Sequence, residues 1–223
     1  MLKPTHGRAG VAPMIYIVSG QDTERYSTLM EQVYRLRYRA SAEEFGWGDL
    51  TTAQGLERDQ EERPDAVHHI CMRNGKVVGY QCVLPTVGPH VPAGSLAKQC
   101  QSWIPRGLDI FELARYCVAP ACREGGCSTC GGASELIAGL VEWGLACRVS
   151  KVTLAFEPYW LLRALQLNFR AQPLFAECKN ALVPVLLEFD AATLEAIRDY
   201  RKHRAPVVSF LGEHEGKRAA MTV

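Results

Sequence analysis

The sequence predicts one mixed α/β or α+β domain, arranged as a three-layer sandwich with a mostly antiparallel sheet between helices. An Asn74-Gly75 pair between two β-rich runs is typical of a tight antiparallel hairpin. Strand-like and helix-like runs then alternate along the rest of the chain. The 223 residues are enough to bury one core. We expect this domain to span residues 14–211, between flexible tails at 1–13 and 212–223.

The first half of the chain predicts a strand, a helix, a long loop and a hairpin. Residues 14–19 are β-rich, and apolar side chains recur at helical spacing over 22–45. Residues 46–64 are polar and contain three glycines and a proline, which predicts a loop long enough to carry function. The hairpin strands are predicted at 66–72 and 76–84, and Pro85 ends the second one.

The second half predicts three more strands and their helices. β-rich apolar runs indicate strands at 110–118, 151–156 and 183–189. A helix is expected after the glycine-rich stretch at 124–132, because leucine and isoleucine recur there at helical spacing. Shorter helices are expected near 95–101 and over 159–167. Asp190 is placed to cap a last helix that runs to about residue 200.

The composition excludes several classes of protein. Apolar residues make up 48% and charged residues 22%, which is ordinary for a globular protein. The net charge of +1 gives no global attraction to nucleic acid, and no apolar run reaches the length of a membrane span. An odd count of nine cysteines, with no secretory signal at the start, favours reduced thiols and a cytoplasmic location.

Several charged residues stand beside or within apolar patterns. Arg37 falls next to the apolar stripe of the first helix, so it is either a surface arginine or a buried one that needs carboxylates. The loop that follows supplies carboxylates that could cage a cationic ligand, or could simply be solvated: Glu57, Asp59, Glu61 and Glu62. Glu112 and Arg115 share a predicted strand and would point to opposite faces unless a β-bulge lies between them.

Two further features lie after that strand. Arg123, Gly125 and Gly126 precede a helix, so backbone amides there could cradle a phosphate or a pantetheine arm, or the glycines could form a plain turn. Cys122, Cys127 and Cys130 have a spacing seen in iron–sulfur proteins, but the surroundings suit an anion better, and we predict no metal. His68 and His69 are adjacent in a strand and are treated as ordinary residues.

Together these segments resemble the acyl-homoserine lactone synthases, the autoinducer synthases of bacterial quorum sensing. The resemblance extends over about residues 14–210. The segments that carry it are Tyr34-Arg-Leu-Arg37, Gly46-Trp47, Gly55-Leu-Glu-Arg-Asp59, Val77-Val-Gly79, Leu84-Pro-Thr86, Gly88-Pro89 and Glu112-Leu-Ala-Arg115. The resemblance implies a fold related to the GNAT acyltransferases. It also implies that the amine of S-adenosylmethionine attacks an acyl thioester, after which lactone closure expels methylthioadenosine.

The resemblance also implies the site. Arg37, Trp47, Asp59 and Glu62 would bind S-adenosylmethionine, and Glu112 and Arg115 would be catalytic, with Glu112 as general base. The predicted acyl pocket is lined by Leu140, Trp143, Thr153, Phe156, Trp160 and Leu161. The donor would be an acylated carrier protein or an acyl-CoA, and no separate cofactor is expected. Basic residues that could dock an acidic carrier are Arg148, Lys151, Arg163, Arg170 and Lys179, or Arg198, Arg201, Lys202 and Arg204.

Three positions depart from the family pattern. Ser41 and Glu61 stand where the family usually has phenylalanine, and Cys82 stands where it has an arginine before Leu-Pro-Thr. Two alternatives therefore stay open. One is a GNAT-type acyltransferase that uses acyl-CoA and another amine, and the other is a non-catalytic family member.

Overall fold

The computed structural model describes residues 14–40, 55–57, 63–87, 104–123, 131–174 and 182–212. Its strands are β1 (Met14–Ser19), β2 (Val67–Arg73), β3 (Lys76–Pro85), β4 (Ile110–Val118), β5 (Lys151–Phe156), β6 (Arg170–Pro173), β7 (Val183–Glu188) and β8 (Val208–Phe210). Its helices are α1 (Ser27–Tyr38), α2 (Gly132–Cys147), α3 (Tyr159–Gln166) and α4 (Ala191–Arg201), with 3-10 turns at Gly20–Asp22 and Pro120–Cys122.

The eight strands form one mixed sheet in the order β6-β7-β5-β4-β3-β2-β1-β8. The pairs β1–β8 and β4–β5 are parallel, and the other five are antiparallel. Helix α1 packs on one face through a core that includes Val33 and Leu36. Helices α2 and α4 pack on the other face through a core that includes Leu136 and Ile197. The predicted three-layer arrangement with a mostly antiparallel sheet is therefore confirmed.

Local chemistry explains the elements that the sequence located well. Asn74 and Gly75 have φ angles of 51° and 75°, the left-handed pair that a tight β2–β3 hairpin needs. Asp190 Oδ1 accepts hydrogen bonds from the backbone N–H groups of Ala192 and Thr193, and so caps α4 as predicted.

Other boundaries differ from the predictions. Helix α1 begins at Ser27 rather than at residue 22, because a 3-10 turn at Gly20–Asp22 and a further turn at 23–26 precede it. Strands β6 and β8 were not predicted; they are four and three residues long and form through their pairing with β7 and β1. The helix predicted near 95–101 lies outside the described residues.

Candidate active site

A β-bulge in β4 places the two predicted catalytic residues on one face of the sheet. Cys82 of β3 pairs with Arg115, whereas the next residue, Val83, pairs with Leu113, so Ala114 is the extra residue. Glu112 pairs with Leu84, which lies on the same face as Cys82. Because directly opposed residues point to the same side, Glu112 and Arg115 both face the α1 layer. The sequence allowed either a regular strand or a β-bulge between these two residues, and the structure contains the bulge.

Arg37 and Glu57 form a buried ion pair in this layer. Arg37 lies near the end of α1, and its Nη2 donates to Glu57 Oε1 over 3.0 Å. The two side chains are only 5% and 4% exposed. The backbone N–H of Glu57 donates to the carbonyl of Tyr34, which ties the loop segment to α1. Arg37 is thus buried and paired, as the sharper of its two interpretations required.

Tyr80 joins this pair to the central strands. The Arg37 guanidinium lies 5.8 Å from the Tyr80 ring centroid. The Tyr80 hydroxyl is 2.8 Å from His68 Nδ1, and the two rings stack. Burial, with a further contribution from the neighbouring Cys82, raises the pKa of the Tyr80 phenol well above its usual value, so the hydroxyl keeps its proton.

Cys82 lies at the centre of this face. It is 4% exposed, and its strand partners on the two sides are His68 and Arg115. The side chains of Cys82 and Tyr80 are hydrogen-bonded to each other. A phenol, an imidazole and a thiol therefore occupy the place where the family resemblance led us to expect an arginine. Sequence reasoning missed Tyr80 and His68, although the hairpin register alone puts His68 opposite Cys82.

Strands β4 and β5 pair only at their amino ends. The paired positions are Ile110–Lys151, Phe111–Val152 and Glu112–Thr153, and the two strands are not paired beyond them. The opening between the strands begins at Glu112. Thr86 braces this end, because its hydroxyl donates to the carbonyl of Ile110 over 2.8 Å and accepts from the Gly107 N–H over 3.1 Å.

The predicted acyl-pocket residues divide between the two faces of the sheet. Leu140 and Trp143 are buried on the α2 face, and Phe156 packs against the same core. Trp143 contacts Phe111 of β4 and His69 of β2 edge-on. Thr153 is fully buried beside Glu112 on the opposite face. Trp160 and Leu161 are half-buried on α3, outside both core clusters.

The structure describes only some of the remaining predicted site residues. Trp47, Asp59, Glu62, Gly125 and Gly126 lie outside the described residues, as do Ser41 and Glu61. Arg123 Nε donates to the carbonyl of Val118 over 3.1 Å at the end of β4. Arg115 Nη1 donates to the carbonyl of Ala114 over 3.0 Å.

The described residues were also searched for disulfide bonds, metal sites and membrane-spanning helices. Within the described residues, five cysteines are not in disulfide bonds: Cys71, Cys82, Cys117, Cys122 and Cys147. Within the described ranges, no three potential metal ligands come together, and Cys127 and Cys130 lie outside them. A search of the same ranges found no helix both long and apolar enough to cross a membrane.

The proposed basic docking clusters are largely engaged within the protein. Arg198 and Arg201 are turned toward the carboxylates of Glu142 and Glu135 on α2, with side chains 21% and 5% exposed, so these two members of the second cluster are not surface charges, whereas Lys202 and Arg204 are exposed. Arg170 pairs with Glu188 and Asp190, and Lys151 pairs with Asp109.

Comparison with known proteins gives one consistent result. The sequence model of the family described as "Autoinducer synthase" matches residues 21–166. The isovaleryl-homoserine lactone synthase of Bradyrhizobium diazoefficiens is 28% identical over 200 residues, which covers 87% of this chain and 84% of that protein. An acyl-homoserine-lactone synthase of Agrobacterium fabrum is 25% identical over 145 residues, covering 63% of this chain and 68% of that protein.

Solved structures agree on the fold. A CoA-dependent acyl-homoserine lactone synthase, BjaI, determined with SAM and isopentyl-CoA, superposes with a TM-score of 0.76 at 24% identity, covering 95% of this chain and all of that one. A second CoA-dependent acyl-homoserine lactone synthase, MesI, gives 0.76 at 20% identity and covers 87% of this chain and 98% of that one.

Proposed function

The chain belongs to the autoinducer synthase family, and from that membership we propose that it is an acyltransferase that makes an N-acyl-homoserine lactone from S-adenosylmethionine and an acyl thioester. The proposed reaction type rests on the family match. The proposed location of the active site rests on the bulge at Ala114, which puts Glu112 and Arg115 on the face that holds the Arg37–Glu57 pair.

Glu112 is the proposed general base. It is 2% exposed and lies where β4 and β5 part, so an amine entering from the α1 face would meet its carboxylate out of bulk water. The ammonium group of S-adenosylmethionine must lose a proton before its nitrogen can attack, and a buried carboxylate can accept that proton directly or through one water. The attack forms the new C–N bond and a tetrahedral oxyanion.

The bulged strand is the proposed support for that oxyanion. Backbone N–H groups near Arg115 to Cys117 are the candidates for donors, because this part of β4 lies beyond Glu112, the last residue that pairs with β5. Collapse of the intermediate breaks the C–S bond and releases the donor thiol. The carboxylate oxygen of the acylated S-adenosylmethionine then attacks its own γ-carbon, which closes the lactone and expels methylthioadenosine.

Arg37 is the proposed organiser of the S-adenosylmethionine site. Its charge is neutralised by Glu57, so the pair presents no excess charge, and its role is to hold the loop segment against α1 and Tyr80. Trp47, Asp59 and Glu62 stay as proposed ligands of the same substrate, on the strength of the sequence resemblance.

We propose an acyl-CoA as the donor rather than an acylated carrier protein. Two of the similar structures are named as CoA-dependent enzymes, and most of the predicted carrier-docking arginines are already paired within this chain. The acyl group would pass between β4 and β5 toward Trp143 and Leu140. The bulk of Trp143 against Phe111 favours a short acyl chain.

The test compares one acyl group on two carriers. Purified protein is given S-adenosylmethionine with isovaleryl-CoA or with isovaleryl-carrier protein, and lactone formation is measured over a range of donor concentrations. A higher kcat/KM for the CoA thioester supports the proposal. A higher kcat/KM for the carrier protein would overturn the donor assignment and leave the reaction type in place.

The same reaction mixtures distinguish lactone synthesis from the GNAT-type alternative and from a non-catalytic protein. An acyltransferase acting on a different amine would release no methylthioadenosine from S-adenosylmethionine. A non-catalytic protein would release neither thiol nor methylthioadenosine with any donor.

A further inference from the structure

Two neighbouring strands place three buried side chains where the family resemblance led us to expect an arginine. The Tyr80 hydroxyl of β3 lies 2.8 Å from Nδ1 of His68 on β2. The side chains of Tyr80 and Cys82 are hydrogen-bonded to each other. Tyr80, His68 and Cys82 are 1%, 2% and 4% exposed. They form one hydrogen-bonded set, the His68–Tyr80–Cys82 group, on the face of the sheet that carries Glu112.

The members of this group have complementary hydrogen-bonding roles. Burial, with a further effect of the neighbouring Cys82, raises the pKa of the Tyr80 phenol well above its usual value, so the phenol keeps its single proton. A phenol can donate that proton to Nδ1 of an uncharged imidazole while its oxygen accepts the S–H of a thiol. His68 and Cys82 therefore hold the Tyr80 hydroxyl from two sides. The Tyr80 and His68 rings are also stacked, with planes at 23°, which fixes the plane of the phenol.

The fixed ring faces the guanidinium of Arg37. The guanidinium carbon lies 5.8 Å from the Tyr80 ring centroid, within the range over which a cation is attracted to an aromatic face. That attraction depends on the orientation of the ring, because the edge of an aromatic ring carries partial positive charge. Arg37 is buried, so water does little to screen the contact. The orientation of Tyr80 therefore contributes to the position of Arg37.

Arg37 in turn fixes the segment that precedes Asp59. Its Nη2 donates to Glu57 Oε1 over 3.0 Å, and the backbone N–H of Glu57 donates to the carbonyl of Tyr34 over 3.2 Å. These two contacts hold Glu57 against α1. Asp59, two residues further along the sequence, is a proposed ligand of S-adenosylmethionine. A change in the position of Arg37 would therefore reach the S-adenosylmethionine site through Glu57.

An uncharged residue at position 82 also suits the strand on its other side. Cys82 pairs directly with Arg115 of β4. Like charges directly opposite each other destabilise a sheet, so an arginine at position 82 would be repelled by Arg115. It would also remove the thiol from the Tyr80 hydroxyl. The His68–Tyr80–Cys82 group orients Arg37 without adding a further arginine to this face.

We propose that Tyr80, held by His68 and Cys82, is a positioning residue for S-adenosylmethionine binding and acts through Arg37. The group takes the place of the expected arginine, so Cys82 belongs to a working arrangement and is not a sign of lost activity. The identity of the substrate rests on the proposed function, whereas the positioning of Arg37 rests on the contacts alone. Because the group acts on binding, its loss should change the affinity for S-adenosylmethionine more than the rate of the chemical step.

The kinetic test removes the Tyr80 hydroxyl and keeps the ring. Tyr80→Phe should raise the KM for S-adenosylmethionine about three- to tenfold, as expected for the loss of one or two hydrogen bonds. It should leave kcat and the KM for isovaleryl-CoA near their wild-type values. Cys82→Ala should raise the KM for S-adenosylmethionine in the same direction, and Cys82→Ser, which keeps an O–H donor, should recover the wild-type value.

The two adjacent histidines of β2 provide a matched control. His69 is fully buried and faces the α2 layer, where its ring contacts Trp143 and its Nδ1 lies 3.1 Å from Gln81 Nε2. His68→Leu should raise the KM for S-adenosylmethionine by at least as much as Tyr80→Phe, whereas His69→Leu should leave that KM near its wild-type value. Both changes remove a buried imidazole, so urea unfolding of the two variants measures the loss of stability that they share.

A binding test needs no acyl donor. Titration calorimetry with S-adenosylmethionine alone should show weaker binding in Tyr80→Phe and His68→Leu, and unchanged binding in His69→Leu. Cys82→Arg introduces the residue of the family pattern and should also weaken binding, because its charge lies opposite Arg115. Far-UV circular dichroism checks that each variant is folded.

The outcomes separate this inference from the proposed function. Wild-type affinity for S-adenosylmethionine in folded Tyr80→Phe, or equal losses in His68→Leu and His69→Leu, would overturn the positioning role. Tighter binding in Cys82→Arg would mean that an arginine is simply missing, and would overturn it as well. Weaker binding in Tyr80→Phe but not in His69→Leu, in a protein that makes no lactone with any donor, would keep the positioning role and overturn the proposed function.

Discussion

The buried Arg37–Glu57 pair allows a quantitative prediction about stability. At the 3.0 Å separation, two unit charges attract by about 5–6 kcal/mol at an effective dielectric constant of about 20, and by about 1.4 kcal/mol in water. Removal of either partner leaves the other charge buried without it, which typically costs about 3–5 kcal/mol. We therefore expect Arg37→Met and Glu57→Met each to lower the free energy of unfolding by about 3–5 kcal/mol.

The double variant is the diagnostic one. Arg37→Met/Glu57→Met removes both charges and leaves apolar side chains in a buried site, so its cost should be far below the sum of the two single variants. Urea unfolding of the four proteins gives the coupling energy. In thermal unfolding, each single change should lower the Tm by roughly 6–20 °C, at about 2–4 °C per kcal/mol for a chain of this size.

The same helix offers an exposed control pair. Arg35 Nη2 and Glu31 Oε1 are 2.5 Å apart, but the side chains are 59% and 47% exposed. Their coupling should be below about 1 kcal/mol because water screens the charges. A coupling for Arg37–Glu57 as small as that of Arg35–Glu31, or single variants whose costs simply add, would refute the reasoning that burial makes this pair strong.

Three further predictions test other parts of the structure. Glu112→Gln should lower kcat by about a hundredfold or more without loss of fold, as expected for a general base, and a near-normal kcat would remove Glu112 from that role. Gly139→Ala should destabilise the protein by about 1–3 kcal/mol in urea unfolding, because its Cβ would come within 2.9 Å of two Ile15 side-chain carbons, which outweighs the helix propensity gained; a more stable variant would contradict this packing. Cys71 is fully buried and its pKa is raised to about 12, chiefly by burial, so iodoacetamide at pH 8 should label Cys147 before Cys71 in mass spectra, and equal labelling would be the contrary result.

The elements that the sequence predicted well are those set by local chemistry. The hairpin follows from Asn74-Gly75, and the start of α4 follows from the Asp190 side chain, since both need only a few neighbouring residues. Strands β6 and β8 could not be found in the same way. They are short, and they exist because β7 and β1 offer them backbone partners.

The types of residue in the candidate site could be predicted better than their arrangement in space. The position of Arg37 beside an apolar stripe allowed either a surface arginine or a buried one paired with a carboxylate, and the choice of Glu57 depends on the contact of its segment with α1. A bulge between Glu112 and Arg115 could be considered, yet its position at Ala114 is fixed by the β3 register. Arg201 was predicted as a candidate for docking an acidic carrier, because nothing local shows that α4 ends against the start of α2.

The most direct test of the proposed function is the stoichiometry of one reaction. The protein is incubated with S-adenosylmethionine and isovaleryl-CoA, and free CoA thiol, methylthioadenosine and homoserine lactone are measured over time. The proposed reaction produces the three in equal amounts, with all three rates lost together in Glu112→Gln. Thiol release without methylthioadenosine, or methylthioadenosine without an acylated lactone, would contradict it.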